Sequence, residues 1–337
     1  MDILKLAVSG WFARSAAVAA RLGIPDLLAG EHLSSDEIAE RTGTRPEVVR
    51  RLMQVLTVPG VVLRDDNGDF TLNEAFAQLR SDHPQTLRHF FILSAETYDD
   101  AWGGLLHTVR TGESGFEQVF GLPLYEYLEK DADTADLFDR AMVDLARPVA
   151  AELVRHHDFT GLDRVVDVGG GAGAMLKGIL GAQRELRGVV ADRASVCERG
   201  AAELADSGDA DLAERLSFEP SDFFASVPVG GDRYLLKNVL HDWTVENRVR
   251  ILSTVADAMR RTAESGGQPR LLVIEPLVES DQDGWRALFQ MLICDEGMDG
   301  LDEDGMRQVL GTAGFDVVST VRLATGHTVL DCAVRPA

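Results

Sequence analysis

The sequence predicts an α/β, Rossmann-like domain, with a mostly parallel sheet and an antiparallel C-terminal edge, preceded by a mainly α winged-helix domain. Three observations carry this reading. Beyond Gly161, apolar strand-like runs alternate with helical periodicities, the pattern of a parallel sheet covered on both faces. Within that part, Val165 to Gly173 runs from an apolar strand into an acid, Asp167, and four glycines. Ahead of it, two capped helical segments lead into a strand, a tight turn and a strand. A length of 337 residues, 45% hydrophobic, suits roughly two domains with ample cores.

The N-terminal stretch keeps helical spacing at Leu4, Val8, Trp11, Phe12, Val18 and Leu22. That describes a helix with one apolar face, buried within its own domain or against a second subunit. Asp2, Lys5, Arg14 and Arg21 break any signal-peptide or membrane-span pattern. Ser34-Ser35-Asp36-Glu37 caps a helix that ends at Thr42-Gly43, and Pro46 opens a second with Val48, Val49, Leu52, Val55 and Leu56 as its apolar positions. Val61 to Arg64, the turn Asp65 to Asp69, and Phe70 to Leu72 then read as a hairpin. Together these make a winged helix-turn-helix pattern. Yet from Glu31 to Arg51 acids outnumber Lys and Arg by five to four, so the basic footprint of a DNA reader is missing. A module that packs against the other domain or a second subunit is expected instead.

Residues 110–160 read as helices, with a long one over 134–157. Strand 164–168, helix 174–182, strand 187–192 and helix 194–206 follow, then strands 216–219 and 233–239, helix 244–262 and strand 270–275. Helix 301–313 and β-rich runs at 315–322 and 326–334 close the chain.

Fifty-five acidic against 33 basic residues give a net charge of −22, which repels phosphate backbones and anionic membranes, so neither nucleic acid nor membrane is expected as a partner. Cys197, Cys294 and Cys332 form neither a C-x-x-C pair nor an even disulfide framework, which points to a reducing cytoplasm.

In a doubly wound sheet, ligands bind beyond the carboxyl ends of the strands. Three acids recur there: Asp167 within the glycine run, Asp192 about 20 residues past its last glycine, and Asp222 in Pro220-Ser221-Asp222-Phe223-Phe224. Gly169 and Gly171 open the backbone to a polar ligand, but Gly169, Gly171 and Ala174 also satisfy the dinucleotide pattern G-x-G-x-x-A. Asp192 is placed for ribose hydroxyls and does not discriminate. Asp167 does, because an acid before the first glycine repels a pyrophosphate and suits an ammonium group. Asp222 beside Phe223 suits an exocyclic amine on an apolar ring, as in adenine. S-adenosylmethionine is therefore favoured over a nicotinamide cofactor. Each acid taken alone also reads as a helix cap.

Strand 233–239 runs into His241-Asp242-Trp243 and puts an imidazole at the ligand-facing edge. With an ordinary value near ~6.5, it is mostly a free base at neutral pH and able to take a proton from a hydroxyl. Glu275, closing strand 270–275, lies at the same edge and can hold the ring's tautomer. His241, Asp242, Cys294 and Asp295 do not have a recognised metal-ligand spacing, and the chemistry requires no metal.

These residues resemble the class I S-adenosylmethionine-dependent O-methyltransferases of the caffeic-acid type, particularly the bacterial branch that tailors aromatic natural products. The resemblance covers nearly the whole chain. It rests on Phe138-Asp139-Arg140-Ala141-Met142, Asp167 to Gly173, Asp192, Asp222-Phe223, Leu236-Lys237 to His241-Asp242-Trp243, Glu275-Pro276 and Ala313-Gly314-Phe315. It implies a Rossmann-like methyltransferase domain over 161–337, a winged-helix dimerisation domain over 1–110 and a helical linker over 111–160 that contributes to the acceptor pocket. It also implies a homodimer, Lys237 near the cofactor, and Phe138, Met142, Trp243, Met291 and Asp295 around an aromatic acceptor. Methylation of oxygen is the expectation, with carbon or nitrogen methylation or a ligand-sensing regulator as alternatives. The family's second histidine-orienting acid falls on Gly300, and Asp299 or Asp302 stands near enough in sequence to replace it.

Overall fold

In the computed structural model, residues 3–278, 280, 283–294 and 302–336 are described. The chain divides into two units, residues 1–100 with 133–145, and residues 101–132 with 146–337.

The first unit begins with helices Ile3–Ala7 and Ser9–Arg21. The expected apolar face is divided: Val8, Phe12 and Leu22 are half-buried, with Leu22 packed on the core of the first unit, and other members are left outside. Small residues, Ala16, Ala17, Ala19 and Ala20, are the buried ones, whereas Trp11 is 70% exposed and Val18 is also outside. Alanine lets the helix sit close on the core formed by Ile24, Leu28, Ile38, Val49, Met53, Leu56 and Phe70. Helix Ser35–Thr42 starts on the expected capping box, with Glu37 N–H donating to Ser34 Oγ and Ser34 N–H to Glu37 Oε2. Helix Pro46–Thr57 follows. Strands β1 (Val62–Arg64) and β2 (Phe70–Leu72) pair antiparallel across a turn in which Asp65 Oδ1 accepts from the N–H groups of Asn67 and Asp69.

The second unit holds seven strands: β3 (Arg164–Val168), β4 (Arg187–Asp192), β5 (Leu216–Pro220), β6 (Arg233–Lys237), β7 (Arg270–Glu275), β8 (Phe315–Arg322) and β9 (Thr328–Val334). Their order is β5-β4-β3-β6-β7-β9-β8, parallel except at β9, which runs antiparallel to both β7 and β8. The chain builds outward from β3 through β4 to β5, then crosses back to β6, so the topological switch lies between β3 and β6. On one face Val166, Val168, Leu236 and Val273 share a core with Ile251, Val255 and Met259 of helix Val245–Glu264. On helix Ala174–Ala182 the expected Met175, Leu176 and Ile179 are buried. Gly188 keeps room for Leu176 there, since a Cβ would stand 3.0 Å from its Cδ1.

β6 stops at Lys237, two residues short of the expected end. Val239 and Leu240 are apolar enough to extend it, but Asn238 takes a left-handed φ of +55° and turns the chain.

Tyr234 is fully buried in β6, its hydroxyl donating to the Pro228 carbonyl at 2.9 Å and accepting from Gly231 N–H at 3.3 Å. Tyr234→Phe strands both backbone groups and is expected to lower unfolding free energy by about 1–3 kcal/mol. Urea denaturation checks this; an unchanged midpoint contradicts it.

Candidate active site

The carboxyl end of β3 turns through Gly169 and Gly171, both at positive φ, +71° and +57°, where side chains are strained. A Cβ on Gly169 would stand 2.8 Å from Val239, and one on Gly170 2.6 Å from the Asp167 carboxyl. At Gly171 that direction is open space. Gly173, at φ +78°, caps helix Ala174–Ala182. Asp192, at the end of β4, reaches back to this loop: Oδ2 accepts from Gly171 N–H at 2.8 Å and Oδ1 from Arg193 N–H at 2.7 Å. The loop's shape and the carboxylate's position are thus fixed together.

Asp167 is 1% exposed, and its Oδ2 has no hydrogen-bond partner. Burial pushes its pKa up to about 7, against the pull of Lys237, with Asp192 adding to the rise. Burial likewise pushes Lys237, the last residue of β6, down to about 8, while Glu275, Asp167 and Asp242 hold it up. A buried carboxyl with an unused oxygen, next to a glycine cradle, fits a ligand that brings its own cation. Asp222 is exposed, and its Oδ1 caps the following turn through Phe224 N–H at 2.9 Å. Phe223 stands 3.8 Å from where a Gly169 Cβ would be and meets Trp243 edge to face at 5.8 Å.

The turn Leu240–Asp242, which carries His241, is held by one buried carboxylate. Glu275 Oε1 accepts from Val239 N–H at 3.0 Å and Leu240 N–H at 2.8 Å, and Oε2 accepts from His241 Nδ1–H at 2.6 Å. The buried Arg248 adds a donor from the other side, Nε to the Leu240 carbonyl at 2.9 Å. On the far side of the ring, Nε2 lies 3.2 Å from Asp242 Oδ1. Asp242 is fixed in turn by Tyr125 Oη–H, donating to Oδ2 at 2.5 Å, and Cys294 Sγ–H, donating to Oδ1 at 3.0 Å.

Burial alone would lower the His241 pKa, but the facing carboxylates of Asp242 and Glu275 overcome it and hold the group up at about 10. Burial would raise Asp242, and the imidazolium beside it keeps it below the ordinary value instead. The expectation of a free imidazole at neutral pH is therefore corrected. The sequence shows an adjacent acid, but only the fold turns it onto Nε2.

Gly169, Gly171, Asp167, Asp192, Phe223, Lys237, His241, Trp243 and Glu275 come together at the carboxyl ends of β3, β4, β5, β6 and β7. Met291 lies on helix Gly284–Ile293, just before Cys294. Phe138 and Met142 lie half-buried on helix Ala132–His156, in the stretch that belongs to the first unit. Asp295 and Asp299 lie outside the described residues. Asp302 is exposed and caps helix Glu303–Thr312 through Gly305 N–H at 2.7 Å. Asp242 is the second carboxylate on the imidazole. Sequence reasoning weighed it, with Cys294, only as a metal ligand, and missed Tyr125, which no local pattern marks.

Comparison with known proteins adds the following. An O-methyltransferase domain profile matches residues 102–316, and an O-methyltransferase dimerisation domain profile matches residues 5–78. The chain is 30% identical over 333 residues to the phenazine O-methyltransferase PhzM of Lysobacter antibioticus, covering 98% of this chain and 94% of that protein. Among solved structures it is similar to LaPhzM (TM-score 0.87, 29% identity, 98% of each chain). It is also similar to the neocarzinostatin-biosynthesis O-methyltransferase NcsB1 in complex with S-adenosylmethionine and 2-hydroxy-5-methyl naphthoic acid (TM-score 0.76, 27% identity, 96% of this chain and 95% of that one).

Glu275→Gln keeps an oxygen for the two backbone N–H groups but sets an amide against Nδ1, which favours the wrong tautomer. Turnover is expected to fall at least about a hundredfold, within the range for losing general base catalysis, with thermal stability nearly kept. Glu275→Ala leaves the N–H groups stranded and should cost stability as well. Steady-state kinetics with thermal melts separates the two; full turnover in Glu275→Gln contradicts the assignment.

Proposed function

The chain belongs to the S-adenosylmethionine-dependent O-methyltransferase family, and on that premise we propose that it methylates a hydroxyl of an aromatic small molecule, with His241 as the base. The observation that carries this is the imidazole set between Glu275 and Asp242 at the same sheet edge as the unpartnered Asp167 oxygen. Relatives named for phenazine and naphthoate acceptors support an aromatic one.

In this reading Asp167 receives the ammonium group of S-adenosylmethionine, Asp192 the ribose hydroxyls, and Asp222 with Phe223 the adenine. Gly169 and Gly171 admit the ligand to the backbone, and Lys237 supplies positive charge beside it. When bound, S-adenosylmethionine supplies a methyl group on a sulfonium, a carbon open to in-line attack by oxygen. Phe138, Met142, Trp243, Met291 and Asp295 are the residues proposed to receive the acceptor ring.

His241 Nε2 takes the hydroxyl proton, and Glu275 Oε2 stabilises the imidazolium through Nδ1–H. Asp242 tunes this step, because its charge keeps Nε2 protonated in the free enzyme. A group titrating at about 10 is a free base in about one molecule in a thousand at pH 7, a handicap of about 4 kcal/mol. Positioning supplies up to about 7–11 kcal/mol and outweighs it.

A cytoplasmic setting is part of this reading, supported by the free thiols of Cys197, Cys294 and Cys332. Among the described residues, no helix is long and apolar enough to cross a membrane. The chain is proposed to act as a homodimer through its N-terminal helices, where Ile3 is 81% exposed beside exposed Leu4, Leu6 and Trp11.

Two outcomes follow. The base form of His241 lies above its pKa, so kcat/KM should climb with pH toward about 10, and Asp242→Asn, which removes one charge holding the proton, should shift that limb to lower pH. Rates of radiolabelled methyl transfer to a panel of phenols give the profile, and an unmoved limb contradicts the role. In sedimentation velocity the wild type should run at twice its 36.7 kDa chain mass and Trp11→Glu at the monomer mass; a wild-type monomer contradicts the homodimer.

A further inference from the structure

The last hairpin of the sheet reaches back to the catalytic turn through a residue outside the machinery described above. Among the described residues, Asn238 is the non-glycine with a positive φ, +55°, and it stands between Lys237 and the turn that carries His241. An L-residue there costs on the order of 1 kcal/mol and persists only where its surroundings over-determine it. Its backbone N–H donates to the Ile274 carbonyl at 3.0 Å. Asparagine in this conformation often uses its side chain on neighbouring backbone. Here the side chain is committed elsewhere: His327 Nε2–H donates to Asn238 Oδ1 at 3.1 Å, across 89 residues of sequence.

His327 immediately precedes β9, whose first residue, Thr328, pairs with Glu275. The residue that carries the ring is thus the chain neighbour of the strand residue in register with Glu275. Its tautomer is set from both ends, with Nδ1 facing Thr325 Oγ1 at 3.2 Å. Burial, then the positive charges of Lys237, His241 and Arg286, push its pKa down to about 3, so this contact is uncharged at working pH. The hairpin does not need the ring, because the backbone closes it, His327 carbonyl accepting from Leu323 N–H at 2.8 Å.

We propose that His327 is a positioning residue for His241: by holding the Asn238 side chain it fixes the left-handed bend that sets the imidazole between Glu275 and Asp242. The catalytic consequence rests on His241 being the base, but the geometry does not, so the test needs no acceptor. In the enzyme without ligand, ring-nitrogen NMR on labelled histidine follows the His241 titration, which reports Asp242 and Glu275 on its two nitrogens and the opposing charge of Lys237. His327→Ala should lower that midpoint by about one unit or more as the ring drifts from the carboxylates. His327→Gln, which keeps an N–H donor for Asn238, should restore most of it. Asn238→Gly relieves the strain and removes the acceptor. In that background His327→Ala should move the midpoint by less than about 0.3 unit, the signature of two residues acting through one contact. Calorimetry with S-adenosylhomocysteine, expected to change less than about threefold in His327→Ala, checks that the site is otherwise intact. An equal shift in both backgrounds, or none in the asparagine background, overturns the proposal. A failed methyl-transfer assay with an intact titration cycle would instead count against the assigned reaction.

Discussion

The carboxylate of Glu275 is the interaction on which the site depends. Burying a charge costs several kcal/mol unless hydrogen bonds replace its water, and Glu275, 1% exposed, is met by two backbone N–H groups and one imidazole N–H. Those bonds do two things at once. They fold Val239 to Asp242 into a tight turn beyond the Asn238 bend that ends β6, and set which nitrogen of His241 carries a proton toward the protein. A functional histidine on a short turn would otherwise be mobile; here its position is tied to the rigid end of β7.

Sheet topology makes the rest local. Because the chain switches direction between β3 and β6, the glycine loop, Lys237 and the turn that carries His241 emerge side by side, with the Asp192 loop contact on one flank and Glu275 on the other. The charges alternate through the site: Asp167, Lys237, Asp242, His241, Glu275. None is paired simply, and burial pushes Asp167 up and Lys237 down. Opposed shifts of this kind are what burial of unlike charges in a cleft produces.

Much of this was legible in the residues. Strand β3, the helix after it and the span of β4 follow from apolar runs and glycines, and Asp192 from its spacing to them. Legibility failed where long-range contacts overrode local pattern. Val239 and Leu240 look like strand, but Asn238 bends because Ile274 and His327 hold it. Asp222, read as a ligand group, also caps its own turn through Phe224 N–H, a local contact that leaves that role open to test. The protonation of His241 could not be read, because it depends on which way Asp242 turns, and that is set by Tyr125 and Cys294, both far away in sequence. The N-terminal helix shows the same limit, since its periodicity marks an apolar face without saying that alanines bury it.

The central claim is that Glu275 keeps a proton on Nδ1 of His241 and leaves Nε2 as the nitrogen that gains and loses one. Nitrogen-15 NMR of the ring, recorded at a pH above the His241 titration, reads this directly. A bare Nε2 with Nδ1 still protonated is the expected spectrum. The opposite tautomer, or a ring whose two nitrogens exchange the proton evenly, would contradict the account.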